Sequence, residues 1–328
     1  MKYFYSSIFI LAIGLAIAFY LGSWEALYIT LLLSILEVSL SFDNAVVNAK
    51  VLENMTKEWQ QRFIYIGLPI AVFGMRFIFP IVIVAVAGGM GVYETFNLAI
   101  ENPVKYHEML EHNKLGIYAF GGAFLLMVFM DFFFDDDREE KWIHILEDNK
   151  ITNKLSDTNN IELIIAMVVG LILIHFTNSS TVAMAYFGGI LLHSIISSLD
   201  DIMSLDGIRS GLMGLLYLEV LDASFSFDGV IGAFALSSNI FIIMIGLGIG
   251  AMFVRSLTLY LVEKKTLQEY IYLEHGAHYA IFALATIMLL KIFFEVSEAL
   301  TGTIGIAFIL IAYYSSIRAN KLKAVEND

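Results

Sequence analysis

Apolar residues occur along the chain in long runs of about 17–25 residues, separated by short polar or charged segments. A helix needs about 20 such residues to cross the hydrocarbon core of a bilayer. The runs therefore predict an all-α, polytopic transmembrane helical bundle of about ten spans. The predicted spans are residues 3–21, 25–50, 62–88, 115–134, 160–176, 181–198, 211–237, 240–262, 277–296 and 302–318.

Two pairs of these spans are separated by very short polar segments. Residues 22–24 stand between the first and second spans, and residues 177–180 stand between the fifth and sixth. Each pair could form two full spans or one broken or re-entrant element. No small-residue cleavage signal follows the N-terminal apolar run, so we interpret this run as a retained span rather than a signal peptide.

The composition agrees with a membrane protein. Hydrophobic residues make up 59% of the 328 residues, and the mean hydropathy is +0.76. Both values exceed those of ordinary globular domains. The net charge of −13 argues against nucleic acid as a partner, because nucleic acid calls for a basic face. The sequence has no cysteine, which excludes disulfides and thiolate metal sites.

Lys and Arg are distributed unequally between the predicted loops. With ten spans, 14 of the 19 Lys and Arg residues fall on the side of the N-terminus, two fall on the other side and three lie within spans. The positive-inside rule then predicts cytoplasmic termini in a multi-pass protein of the inner (cytoplasmic) membrane. The charged segment 135–158 becomes a long cytoplasmic loop, which we interpret as solvated.

One short pattern of polar residues occurs twice inside apolar segments. Residues 37–44 read Glu-Val-Ser-Leu-Ser-Phe-Asp-Asn, and residues 222–229 read Asp-Ala-Ser-Phe-Ser-Phe-Asp-Gly. Carboxylates within a membrane span are costly and mark functional sites. The two motif copies, with Glu219 one helical turn before the second, are therefore the first candidates for a site.

Two further pairs of segments resemble each other in the same order along the chain. They are 66–76 with 245–255, and 116–135 with 276–295. The matched spans lie five apart and therefore cross the bilayer in opposite directions. This order predicts an inverted-topology repeat of the kind found in secondary transporters, with halves at residues 1–176 and 177–328.

Helical spacing places most polar residues of each motif copy on one stripe. The stripe residues are Glu37, Ser41, Asn44 and Asn48 in the first copy, and Glu219, Asp222 and Ser226 in the second. Asp43 and Asp228 lie about 120° from these stripes on a regular helix. All can face one cavity if the helices unwind locally, which Ser, Asp and Asn favour, or if each Asp faces the other half.

The charges of these spans favour a cation site. The acids are Glu37, Asp43, Glu219, Asp222 and Asp228, and we interpret Arg76 and Arg255 as their fixed counter-charges. The resulting charge of −3 suits a divalent cation together with a proton on one acid. Carboxylate, Ser and Asn oxygens suit a hard cation such as Mn²⁺, Mg²⁺ or Ca²⁺. A purely structural set of buried ion pairs is the alternative.

Other polar residues of the spans are interpreted more simply. Asp131 and Lys291 occupy matched positions near opposite membrane surfaces, and we interpret them as ends that reach the interface. An intramembrane ion pair between them is the alternative. The scattered His175, His193 and His278 are interpreted as packing or interfacial residues.

The paired motif resembles that of the TerC family of integral membrane proteins, and the Phe-Ser-Phe-Asp-Gly variant is most similar to its DUF475 branch. The similarity covers roughly residues 25–90 and 210–300. The resemblance implies a LysE-type exporter fold and a role in manganese homeostasis and tellurium resistance. The metal-binding positions that it implies are Glu37, Asp43, Asn44, Asp222 and Asp228. Because Gly229 stands where the first half has Asn44, Glu219 is a further candidate ligand.

These observations predict a secondary transporter that exports a divalent metal cation, with Mn²⁺ favoured, by alternating access. Proton coupling is expected, with Glu219 as the candidate carrier. No enzyme is predicted, because H-E-x-x-H and the Gly-x-Gly-Asp of intramembrane aspartyl proteases do not occur. No tightly bound cofactor is indicated, and the expected partners are the lipid bilayer, the metal ion and protons. A membrane scaffold that supports metal homeostasis or stress resistance through partner proteins is the alternative function.

Overall fold

The computed structural model shows an all-helical protein. It describes residues 2–67, 70, 74, 76, 78–135, 138, 140–156, 158, 160–203, 211–237 and 239–326. Helices account for 88% of the structure, and the described residues contain no strand. The helices are α1 (Tyr5–Leu40), α2 (Phe42–Glu53), α3 (Lys57–Arg62), α4 (Phe79–Gly88), α5 (Val92–Glu101), α6 (Pro103–Phe133), α7 (His144–Glu147), α8 (Lys150–Ser156), α9 (Ile161–Thr177), α10 (Ser180–Met203), α11 (Gly211–Leu236), α12 (Ile240–Lys264), α13 (Thr266–Glu269), α14 (Leu273–Leu290) and α15 (Glu298–Glu326). A 3₁₀ turn (Lys2–Phe4) precedes α1, and a π-helical segment (Phe63–Gly67) follows α3.

Six helices of the described residues are long and apolar enough to cross a bilayer. They are α1, α6, Ser180–Leu199 of α10, α12, α14 and Leu300–Leu322 of α15. The chain is therefore a multi-pass membrane protein. α9 is apolar but has 17 residues, and the 26-residue α11 carries three carboxylates. The third predicted span falls partly on residues outside the described ranges, and the count of ten spans remains a prediction.

The first helix reverses its direction at residues 22–23. The backbone is not helical at either residue, and Ser23 has a φ of 59°. Before the turn, later residues of α1 contact earlier residues of α12. After the turn, later residues of α1 contact later residues of α12. They are Ser7–Ser256 and Gly14–Ile245 before the turn, and Ser34–Gly246 and Glu37–Gly250 after it. Residues 5–21 and 24–40 therefore form an antiparallel helical hairpin against α12.

Two helices of the first half each pack antiparallel against a helix of the second half. The contacts are Tyr118–Lys291 and Phe132–His278 for α6 with α14, and Asn44–Asp222 and Met55–Gly214 for α2 with α11. Both pairs join spans that the sequence repeat matches with each other. The antiparallel contacts bring the two motif copies to one place in the bundle.

Glycines let α12 approach the hairpin closely. A Cβ atom at Gly246 would lie 2.6 Å from Cβ of Leu33, and one at Gly250 would lie 2.5 Å from Cβ of Glu37. Small residues at such crossings are typical of packed membrane helices. The second half of the chain thereby holds the acidic residue of the first motif copy in place.

The charged segment 135–158 is not wholly solvated, contrary to our interpretation of its sequence. Glu147 of this segment is buried and accepts hydrogen bonds from Arg138, from the amide of Trp142 and from the hydroxyl of Tyr279. Burial acts to raise the pKa of Glu147, but His275, the Trp142 amide and Arg138 together lower it below its usual value. The carboxylate therefore stays ionised and holds the segment against α14.

Candidate functional site

The two motif copies have different backbones. In the first copy α1 ends at Leu40 and α2 begins at Phe42, with Ser41 between them at φ −110° and ψ 16°. This break places Asp43 in the first turn of α2, where the helix dipole favours a carboxylate. The second copy lies within the continuous helix α11. Local unwinding, which the sequence left open, thus occurs only in the first copy.

Arg76 joins the two copies through buried ion pairs. Its Nε donates to Oε1 of Glu37 at 3.1 Å, and its Nη2 donates to the same oxygen. Its Nη1 donates to Oδ2 of Asp222 at 3.1 Å. Arg76 is 3% exposed and Glu37 is 1% exposed, so bulk water hardly screens these charges. Arg76, one of the two arginines expected to compensate the acids, therefore contacts two of these acids directly.

Polar side chains complete the surroundings of these two acids. The hydroxyl of Ser41 donates to Oε1 of Glu37 at 2.9 Å. The amide of Asn44 donates to Oδ1 of Asp222 at 2.6 Å, whereas its own Oδ1 has no partner among the described residues. We call Glu37, Ser41, Asn44, Arg76 and Asp222 the Arg76 network. It contains residues of both motif copies at one buried point.

Glu219 lies beside the Arg76 network without a hydrogen bond to it. It is 6% exposed, and neither of its carboxylate oxygens has a hydrogen-bond partner among the described residues. It lines a cavity of about 30 Å³ together with Asn48, Arg76, Asp222 and Arg255. A cavity of this size accommodates about one water molecule or a small ion. Arg255, the second expected counter-charge, thus lies on the cavity and not within the network.

Asp43 points to another part of the bundle. It is buried, and a Cβ atom at Gly305 of α15 would lie 3.9 Å from its Oδ2. The structure therefore places Asp43 near α15 and outside the Arg76 network. Ser226 is buried, and its hydroxyl has no hydrogen-bond partner in the described part of the chain. The side chain of Asp228 lies outside the described structure.

The predicted ligands do not form a ready-made metal cage. Within the described ranges, no group of three or more acidic or His side chains is arranged to hold a metal ion. At this point Arg76 donates to Oε1 of Glu37 and to Oδ2 of Asp222. Oxygen ligands for a hard cation are therefore present, and Arg76 occupies one oxygen of each acid.

Asp131 and Lys291 do not pair with each other. Lys291 lies 5.5 Å from the ring centroid of Tyr118, and Tyr118 precedes Asp131 on α6 by 13 residues, about 20 Å of helix. Asp131 instead lies 3.3 Å from His193. The alternative of an intramembrane ion pair is therefore wrong, and His193 is a polar contact that the sequence did not reveal.

The sequence analysis also did not predict the close glycine contacts of the acids in this site. Gly250 packs against Glu37, and a Cβ atom at Gly67 would lie 3.1 Å from Oε1 of Glu219. The spacing of Gly246 and Gly250, four residues apart on an apolar helix, is a signal that could have identified the first of these contacts.

The sequence matches, over residues 42–323, the family described as "Protein of unknown function (DUF475)". The match begins inside the first motif copy and includes the whole of the second. No curated protein and no solved structure matches the chain.

Proposed function

The chain belongs to the DUF475 family, and from this premise we propose that it is a secondary transporter that exports a divalent metal cation, with Mn²⁺ favoured. One observation carries the proposal. Acidic and amide side chains from both motif copies meet at one buried point between antiparallel helices, where Arg76 bridges Glu37 and Asp222. Ionisable residues inside a membrane bundle are costly and are typical of ion pathways.

The chemistry of the donors supports a hard cation. The Arg76 network contains the carboxylates of Glu37 and Asp222 and the side-chain oxygen of Asn44, and Asn48 lines its cavity; neither amide oxygen has a hydrogen-bond partner among the described residues. Oxygen ligands without thiolates suit Mn²⁺, with Mg²⁺ and Ca²⁺ as the alternatives. The assignment of Asp43 and Asp228 as further ligands rests on the resemblance to the TerC family and to LysE-type exporters, and it forms part of the proposal.

The architecture supports alternating access. Helices of the two halves contact each other in antiparallel pairs, α2 with α11 and α6 with α14, as expected of an inverted repeat whose site lies between its halves. We propose ten spans with both termini cytoplasmic in the inner membrane, on the basis of the charge distribution. Export then begins at the side that carries segment 135–158.

The charges also support proton coupling. Five acids and two arginines leave a charge of −3, of which a divalent cation compensates two units. A proton on one acid compensates the third. Glu219 is the candidate carrier, because neither of its oxygens has a partner among the described residues. Cation and proton then compete for one set of carboxylates, which is the minimum requirement for antiport.

Transport by the purified protein in liposomes tests the proposal. We expect Mn²⁺ flux with an opposite proton flux, each followed by a fluorescent indicator inside the liposomes. Asp43→Asn should abolish the flux, because a carbonyl cannot replace the lost charge. Ser39→Ala is the matched control: Ser39 belongs to the same motif copy but lines an apolar groove of about 450 Å³, away from the Arg76 network.

Two results would contradict the proposal. One is wild-type Mn²⁺ flux no faster than in protein-free liposomes, which would favour the scaffold alternative. The other is an undiminished rate in Asp43→Asn, which would remove Asp43 from the pathway. A loss of flux in Ser39→Ala equal to that in Asp43→Asn would show that any change in this motif impairs the protein.

A further inference from the structure

Arg76 holds the two carboxylates that a transported cation would need. Its guanidinium contacts Glu37 through two nitrogens and Asp222 through a third. A metal ion that binds these oxygens would meet a second positive charge at contact distance. Because the acids lie in a poorly screened interior, this repulsion is strong. Cation and Arg76 therefore compete for Glu37 and Asp222.

An arginine released from these acids loses the two carboxylates with which it forms ion pairs. Guanidinium stays charged under all conditions found in proteins, so it cannot become neutral when it loses its carboxylates. A positive charge without a compensating carboxylate is costly inside a membrane bundle. A second carboxylate within reach of Arg76 would remove this cost, and its planar fork suits pairing with any carboxylate.

Glu219 has the properties of that second partner. It is buried, neither of its oxygens has a partner among the described residues, and it lines the same small cavity as Arg76 and Asp222. It has no counterpart in the first half, because the first motif copy has no equivalent acid one turn earlier. Gly67 leaves room for its carboxylate, since a Cβ atom there would lie 3.1 Å from Oε1.

We propose that Arg76 is an internal surrogate for the transported cation, which pairs with Glu37 and Asp222 until a cation displaces it and then pairs with Glu219. This inference rests on the proposed function and assigns different roles to two of its residues. Arg76 is a moving competitor and not a fixed counter-charge. Glu219 is a positioning residue that receives Arg76 and not a direct ligand of the metal. It is ionised while the cation is bound, and it carries its proton only when Arg76 is paired with Glu37 and Asp222.

A double-mutant cycle for cation binding tests the assignment. Mn²⁺ affinity is measured by calorimetry for the wild type, Glu219→Gln, Arg76→Gln and the double variant. Glu219→Gln should weaken Mn²⁺ binding about tenfold or more when Arg76 is present, the equivalent of one lost charge-assisted pair. The same change should alter affinity less than about twofold in the Arg76→Gln background. An equal loss in both backgrounds would make Glu219 an ordinary ligand and overturn the inference.

A second cycle needs no metal. Asp222→Asn removes one partner of Arg76, as an arriving cation would, so Arg76 should turn to Glu219. Glu219→Gln should then lower the thermal midpoint in the Asp222→Asn background by about 2–4 °C more than in the wild type. Glu37→Gln serves the same purpose if Asp222→Asn does not fold. Asp43→Asn is the control background, where no extra shift is expected because Asp43 faces α15.

The two cycles separate the inference from the proposed function. If the wild type binds no Mn²⁺, the proposed function fails, while the thermal cycle still decides whether Arg76 and Glu219 pair. If the wild type binds Mn²⁺ but Glu219→Gln has the same thermal effect in every background, Arg76 does not alternate and only the inference is overturned.

Discussion

The two copies of the motif share a sequence pattern but differ in backbone and in pairing. The first copy breaks at Ser41, and its acid Glu37 receives three hydrogen bonds, two from Arg76 and one from Ser41. The second copy is a continuous helix. There Asp222 is paired, whereas Glu219 and the hydroxyl of Ser226 have no hydrogen-bond partner among the described residues. The contrast thus lies in the acids: Glu37 is paired, whereas Glu219 has no hydrogen-bond partner among the described residues.

This difference follows from what packs against each copy. Gly250 brings the backbone of α12 against Glu37, which fixes that acid between two helices. Glu219 faces a small cavity beside Gly67. A transporter of the proposed kind needs both properties, because one half must hold the site together while the other exchanges partners. In the proposed mechanism the first copy is the fixed half-site and the second copy is the adaptable one.

The largest expected effect is a difference in stability between substitutions of Glu37 and of Glu219. Glu37→Gln should destabilise the protein by about 3–5 kcal/mol, because it replaces the charged acceptor of two Arg76 bonds with a neutral amide and leaves the buried charge of Arg76 only partly compensated. Glu219→Gln should be neutral or stabilising, since an unpartnered buried carboxylate becomes an uncharged amide. Thermal unfolding in detergent measures both. Equal losses of stability would show that the two acids are equally paired and would remove the contrast.

The meeting of the two motif copies could be predicted from the sequence, but its asymmetry could not. Helical spacing and the cost of buried acids place Glu37 and Asn44 on one stripe and Asp222 on the matching one, and the structure joins them. Asp43, in contrast, lies against Gly305 of α15, which is more than 250 residues away in the sequence. Contacts this distant in the sequence leave no local pattern.

The same reason explains the error at segment 135–158. Glu147 belongs to a charged run, which is typical of a solvated loop. Its burial depends on Arg138 nearby and on Tyr279 of α14, which is 132 residues away. Charge patterning describes local composition, so it cannot show that a helix elsewhere offers a hydroxyl to one of these acids.

A smaller effect compares the packing of the two copies. Gly250→Ala should destabilise the protein by about 1–3 kcal/mol, because the new Cβ would lie 2.5 Å from Cβ of Glu37 and 2.9 Å from the carbonyl of Ser34. Gly229→Ala is the matched change in the second copy. Its nearest contact is 3.2 Å, to Oε2 of Glu37, so the gain in helix propensity should offset the crowding. A thermal midpoint lowered as much by Gly229→Ala as by Gly250→Ala would contradict the closer fit of α12.

The smallest effect concerns the two equivalent serines. Ser41 donates to Glu37 at 2.9 Å, so Ser41→Ala removes a hydrogen bond to a charged group and should cost about 1.5 kcal/mol. Ser226→Ala removes a buried hydroxyl that has no partner among the described residues, and it should be neutral or slightly stabilising. Both are the same chemical change at equivalent positions of the motif, but only Ser226 lies within a helix, so the gain in helix propensity on mutation to Ala adds to the contrast. Thermal unfolding of the two variants side by side gives the comparison. If Ser226→Ala is the more harmful change, the second copy makes polar contacts of its own, and its role as the adaptable half-site is lost.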